Sequence, residues 1–177
     1  MLDRIDLVVM GTKGARGLKE VFIGSNTFDL AQKIDKPVVA VPRNAFFQGI
    51  KRIAFCSDFN NHKNMNRLQP LKDLAMVCNS EVRIIHVKTD ETKLPLTEHQ
   101  NESVDEDNFF GSEVNHSFRI IKSTNVWKGI DNYLGNNQDI EMVAVVNHKR
   151  SMMTSLLRTD NTRKMAFQSR LPILILN

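Results

Sequence analysis

The stretch Asp6-Leu7-Val8-Val9-Met10-Gly11-Thr12-Lys13-Gly14, followed by Gly24-Ser25-Asn26-Thr27 and then by Pro37-Val38-Val39-Ala40-Val41, decides the reading of the chain. Two apolar runs rich in β-branched residues bracket a glycine-bearing loop and a helical segment. Apolar runs that are continuous rather than alternating mark strands buried on both faces. From about Ser25 onward, Phe28, Ala31 and Ile34 recur at helical spacing, and Ser25 stands where a helix N-cap belongs. The stretch therefore reads as strand, loop, helix, strand.

Working outward, five more apolar runs have the same character: Ile53–Cys56, Val82–Val87, Phe118–Ile121, Met142–Val146 and Ile173–Leu176. Helical segments lie between them. Leu68, Leu71, Ala75 and Cys78 give one apolar face from roughly Asn64 to Asn79, with Pro70 marking either a kink or a second helix start. Val126, Ile130 and Leu134 predict a helix from about Asn125 that stops at Gly135. Met165 and Ala166 belong to another after Thr162. Strands alternating with helices predict an α/β fold, a doubly wound parallel sheet. The polar, acidic stretch from Thr89 to Ser117 reads as a surface loop leading into a short helix, anchored by Phe109, Phe110 and Val114.

Composition sets bounds on function. The 177 residues are 41% hydrophobic and 25% charged, ordinary for a folded protein. No apolar run approaches the roughly 20 residues of a membrane helix, and Asp3, Arg4 and Asp6 interrupt any signal-peptide core. Cys56 and Cys78 have neither CxxC nor metal-site spacing and read as small buried hydrophobes, which points to a reducing, cytoplasmic setting. The net charge of +4 comes from scattered basic residues, and one Trp and one Tyr make no stacking platform. Small anions suit this pattern better than nucleic acid or a membrane surface.

The beginning of the chain resembles its end. Leu7-Val8-Val9-Met10 aligns with Ala144-Val145-Val146-Asn147, and at the same offset Gly24-Ser25 falls on Asn161-Thr162. After a two-residue slip, Pro37–Val41 falls on Pro172–Leu176. Residues 1–43 thus read as a partial copy, the last part of a unit whose complete form is residues 49–177, with 44–48 as a linker. Such a chain is expected to be a piece of a longer tandem protein, or one of two chains that exchange segments to complete a sheet.

Gly11, Gly14 and Gly24 suit an anion. Glycines let backbone N–H groups converge on a phosphate, Ser25 opens a helix N-terminus, and Lys13 adds a cation. Ordinary turns and a capped helix would satisfy the same residues without a ligand. The loop is neither GxxxxGK[ST] nor GxGxxG. Its form, G-x2-G-x9-G-[ST] between two apolar strands, is the ATP-binding signature of the universal stress proteins, and the chain resembles that family from Asp6 to Val41 and more weakly from Lys51 onward.

The resemblance implies a five-strand parallel sheet of the adenine nucleotide alpha-hydrolase-like kind and, in some members, binding of ATP or a related adenine nucleotide. Carried onto this chain, the nucleotide-binding positions are Met10, Gly11, Lys13, Gly14, Gly24, Ser25, Asn26 and Thr27, with Asp58 and Val87 as adenosine contacts and Thr162 as the one hydroxyl kept in the second copy. Family members dimerise through the last strand, which implies a homodimer or a tandem pairing of Pro37–Val41 with Pro172–Leu176. The sequence departs from the pattern where His148, Ser151 and Asn161 fall on Gly11, Gly14 and Gly24, so residues 49–177 alone are expected to bind ATP weakly or not at all. Each unit then lacks something, since the partial copy has no Asp58 or Val87 of its own.

No catalytic constellation accompanies these residues. The five histidines are dispersed, and none pairs with a cysteine, serine or carboxylate at catalytic or metal-ligand spacing; His86 reads as a core or sheet-end residue. The expected function is a nucleotide-binding regulatory protein of the stress response. The alternative is a nucleotide-independent dimerisation or scaffold module.

Overall fold

The computed structural model describes residues 5–12, 25–57, 65–89, 110–147 and 170–177. Each of the seven apolar runs forms a strand: β1 (Val8–Gly11), β2 (Val38–Val41), β3 (Arg52–Cys56), β4 (Glu81–Lys88), β5 (His116–Lys122), β6 (Met142–Val146) and β7 (Ile173–Leu176). They make one sheet in the order β1-β2-β7-β6-β3-β4-β5. All neighbours are parallel except β2 and β7, where Val38, Val39 and Ala40 lie antiparallel to Ile175, Leu174 and Ile173. From β3 to β7 the sheet is a five-strand doubly wound one, with β3 at its centre and the chain turning to either side of it.

Three α-helices cover it among the described residues: α1 (Ser25–Lys33), α2 (Gln69–Cys78) and α3 (Val126–Asn136). The continuous runs of the sequence follow from this double cover. Ala54, Cys56, Ile85, Val87, Val143 and Val145 pack on one face with Ala31 of α1 and Trp127, Ile130 and Leu134 of α3. Ile53, Phe55, Val82, Ile84 and Ala144 pack on the other with Leu71 and Ala75 of α2 and with Phe110 and Val114. Each large aliphatic side chain so enclosed contributes on the order of 2 kcal/mol.

Several boundaries differ from the sequence expectation. Pro70 marks a second start: a 3-10 turn over Met65–Leu68 precedes α2, whose first turn accommodates the proline because its missing N–H has no helical partner there. The stop for α2 is Asn79 in the left-handed conformation, its N–H reaching back to Ala75 and Met76 carbonyls. Gly135 does not end α3, which runs to Asn136 and closes where the Asn137 backbone N–H and side-chain amide both donate to Tyr133 O. The 89–117 segment, where described, ends in a 3-10 turn over Gly111–Glu113, and Phe110 and Val114 are buried anchors. Cys56 is buried, but Cys78 is half-buried at the end of α2, so only one of the two thiols is a core residue.

The ladders also correct the internal alignment. Val8 pairs with Val38 as Val143 pairs with Ile173, and the flanking bonds repeat: Val8 N donates to Pro37 O and Val143 N to Pro172 O, Thr12 N to Val41 O and Asn147 N to Leu176 O. Positions 135 apart therefore correspond in both strands, without the two-residue slip. Carried along the sequence without a gap, this correspondence sets Gly11 on Val146, Thr12 on Asn147, Thr27 on Thr162 and Pro37 on Pro172. The residue replacing Gly11 is Val146, not His148. The sequence misaligned because repeated valines in β1 and β6 match almost equally well at neighbouring offsets.

Candidate functional site

Ligands of doubly wound sheets sit beyond the C-terminal strand ends where the strand order reverses, here between β3 and β6. Ser57 follows β3, is buried, and donates its N–H to Ile85 O at 2.9 Å, the last rung between β3 and β4. His86 on β4 is buried, with Nδ1 3.2 Å from Ser57 O. A carbonyl oxygen only accepts, so this contact puts a proton on Nδ1. His86 is thus a strand-end core residue, as its place in an apolar run suggested. Thr89, just past β4, is buried as well.

Val87 lies one residue further along β4 than His86, beyond the last β3 rung but still paired with Ile121 of β5. Its side chain turns into the core beneath α3, where a Cβ placed on Gly129 would stand 2.7 Å from Val87 Cγ1. That close approach explains a glycine in the middle of an apolar helix. What Val87 presents at the strand end is backbone. Cys56, on the same core face, has its thiol pushed up to about 12 by burial and stays neutral, so no thiolate nucleophile stands here. The chain enters Asp58 directly after Ser57; Asp58 and Thr162 lie outside the described residues.

At the end of β6, Asn147 is fully engaged. Its Nδ2 donates to Ala31 O (3.0 Å) and to Asn177 Oδ1 (2.7 Å), while its Oδ1 accepts from Gln32 Nε2 (2.6 Å). Asn177 Nδ2 in turn donates to Lys36 O (2.7 Å). This network fastens the C-terminal part of α1 to the ends of β6 and β7, at the position corresponding to Thr12. Sequence reading missed Asn147, Asn177 and Gln32; the one signal was an asparagine directly after each of two apolar strands.

The glycine motif begins where its spacing demands. Gly11 is the last residue of β1 and Ser25 the first of α1. β1 and β2 are parallel, so α1 runs back between them and its N-terminus lies at the end where β1 exits. Met10 packs against the core, Gly11 is exposed, and Thr12 is buried with Oγ1 donating to Val41 O at 3.4 Å. Thr27 is buried on α1. A Cβ placed on Gly11 would meet no atom within 4 Å among the described residues, so packing does not require glycine there. Ser25 and Asn26 open α1 through their backbone; Lys13, Gly14 and Gly24 lie outside the described residues.

The two groups of candidate residues are not brought together. Because β2 and β7 are antiparallel, the C-terminal ends of β1 and β2 lie at the opposite end of the sheet from those of β3, β4, β6 and β7. Met10, Gly11 and Thr12 share one rim; Ser57, Val87 and Asn147 share the other. At the N-terminal ends of β3 and β4, an open groove of about 440 Å³ is lined by Lys51, Arg52, Glu81 and Glu113 among others, and Arg52 there meets Glu81 (3.5 Å) and Asp139 (3.2 Å). No described helix is long and apolar enough to cross a membrane.

Residues 3–42 match the sequence profile of the universal stress protein family. No curated protein gives a significant match to the chain. Among solved structures, a universal stress protein from Archaeoglobus fulgidus superposes on 97% of this chain and 60% of its own, with TM-score 0.63 and 16% identity. A putative universal stress protein from Pseudomonas aeruginosa does so over 97% and 63%, with TM-score 0.61 and 14% identity. The chain thus spans less than two thirds of either, and at these identities the likeness is one of fold.

Proposed function

We propose that this chain, whose residues 3–42 match the universal stress protein family profile and whose sheet resembles that of solved proteins so named, binds the phosphates of an adenine nucleotide such as ATP at the rim where β1 meets α1. Nucleotide occupancy there tunes assembly or partner choice, in a cytoplasmic regulatory protein and not a catalyst. The observation that carries this is the frame of the motif: Gly11 closes a strand with open space about it, and Ser25 starts a helix whose first-turn N–H groups face the same rim. Among the described residues, no β3-like strand end stands at that rim to supply the counterparts of Asp58 and Val87. The site therefore recognises the polyphosphate more than the adenosine.

Calorimetric titration of ATP into the chain tests this, with Gly11→Val, which copies Val146, as the control. Binding by the parent, competition by tripolyphosphate but not adenosine, and at least a tenfold loss in Gly11→Val (about 1.4 kcal/mol) are expected. The open space at Gly11 lets valine in without unfolding the strand. Equal affinity in parent and variant, or none in the parent, refutes the assignment.

A second reading, a nucleotide-independent scaffold, is favoured at the other rim. There Val146 stands on the Gly11 position and the Asn147 amide is committed to Ala31, Gln32 and Asn177. Residues 49–177 are accordingly assigned little or no ATP affinity of their own.

A further inference from the structure

α1 runs from one rim of the sheet to the other. Its N-terminus lies with Gly11 at the end where β1 exits, and its C-terminus lies at the ends of β6 and β7, because β2 and β7 are antiparallel. From Ser25 to Gln32 the helix axis covers about 10 Å. Each end of a helix leaves backbone groups without intrahelical partners. At the C-terminal end of α1 a partner comes from 116 positions away. Leu30 O accepts from Ile34 N within the chain's own turn (3.1 Å), and the next carbonyl, Ala31 O, accepts from Asn147 Nδ2 (3.0 Å). Gln32 Nε2 donates to Asn147 Oδ1, the second Asn147 amide proton goes to Asn177 Oδ1, and Asn177 Nδ2 donates to Lys36 O. Asn147 is thus a C-terminal cap for α1 supplied from the end of β6.

The N-terminal end differs. The first turn of α1 carries no acidic residue, so no carboxylate of its own meets the positive end of the helix dipole there. A helix of nine residues is too short to be stable by itself, and its formation is cooperative. Thr27 and Ala31 are its buried residues among those described. With so slight a grip on the core, whatever holds one end of α1 raises the helix population available to the other.

We propose that α1 couples the two rims, and that Asn147 is a positioning residue for nucleotide bound between Gly11 and Ser25, although it stands at the opposite end of the sheet. This rests on the nucleotide reading above. Coupling between two sites is reciprocal: what the Asn147 cap lends to phosphate affinity, bound phosphate returns to the Asn147 network. Occupancy at the first rim therefore firms the ends of β6 and β7 at the second, beside the reversal of strand order between β3 and β6.

Calorimetric titration of ATP into the parent, Asn147→Ala and Asn125→Ala tests the coupling. Asn125→Ala removes the N-cap of a different helix, α3, and reports what a general loss of stability does to binding. Asn147→Ala weakens ATP binding at least about fivefold, and Asn125→Ala leaves it unchanged. The reciprocal effect needs no substitution: in the parent, saturating ATP slows hydrogen exchange of the Asn147 side-chain amide, followed by NMR, by a similar factor. Equal affinity in the parent and Asn147→Ala, an equal loss in both variants, or unchanged exchange at the Asn147 amide overturns the coupling and leaves the nucleotide site standing. A parent that binds no ATP overturns both.

Discussion

Replacing Gly129 by alanine separates two effects that usually travel together. Alanine in a helix interior is favoured over glycine by about 1 kcal/mol. Here the added methyl would stand 2.7 Å from Val87 Cγ1 and 3.1 Å from both Val87 Cγ2 and Ser123 Cβ. Val87 is buried between strands and helix, and its β-branched side chain has one dominant rotamer, so it cannot swing clear. Overpacking of this kind costs about 1–3 kcal/mol. The net is a loss of about 1 kcal/mol, a fall in Tm of about 3 °C for a chain of this length. The same helix holds its own control: Gly135 is exposed, and a Cβ there meets nothing within 4 Å. Gly135→Ala stabilises by about 0.5 kcal/mol, reduced by its place next to the helix end. Urea unfolding of both variants, and of Gly129→Ala in a Val87→Ala background, measures the contact. If the two alanine variants agree within about 0.5 kcal/mol, or Val87→Ala brings Gly129→Ala no relief, the close approach of α3 to β4 is wrong.

Three further outcomes follow from the structure. Asn125→Ala removes the α3 N-cap, whose Oδ1 accepts from Trp127 N at 2.8 Å and Lys128 N at 3.4 Å, and lowers stability by about 1 kcal/mol in urea titration. Burial raises the Cys56 thiol from 9.0 to about 12, so the folded chain holds its proton where the unfolded chain loses it; this contribution is complete below about pH 9 and declines by about 1.4 kcal/mol per unit toward pH 12. That alkaline slope is smaller in Cys56→Ala, and in the native chain a thiol reagent labels Cys78 far faster than Cys56. Asn147→Ala leaves the Ala31 carbonyl and the Gln32 and Asn177 amides to water, costing about 2 kcal/mol, and by hydrogen exchange it loosens α1 more than α3.

The strands were legible because burial on both faces leaves an unmistakable run of Val, Ile, Leu and Ala, from Val38–Val41 to Ile173–Leu176. Helix ends were less so, since a stop can be made in more than one way. Asn79 takes a left-handed turn and Asn137 folds its side chain back, whereas Gly135, the residue a sequence reader would choose, is simply inside α3. The glycine motif was readable because strand and helix boundaries fall on Gly11 and Ser25. The separation of Gly11 from Val87 was not, for it depends on one antiparallel junction in an otherwise parallel sheet. The Asn147 network was equally hidden: Gln32 and Asn147 are 115 positions apart, and neither belongs to any local pattern.

The junction of β2 with β7 rests on only three Cα pairs, yet β2 and β3 are tied by residues 42–51. Those strands are three positions apart in the sheet, about 14 Å, while ten residues reach up to about 35 Å. Such a tether keeps the local concentration of one half around the other near the millimolar range. A junction so tethered remains closed nearly all the time even where the strand pairing itself is short. Covalent connection thus adds to the shared core and the Asn147 network that hold the two halves together, and cleavage between the exposed Phe46 and Phe47 would separate the contributions.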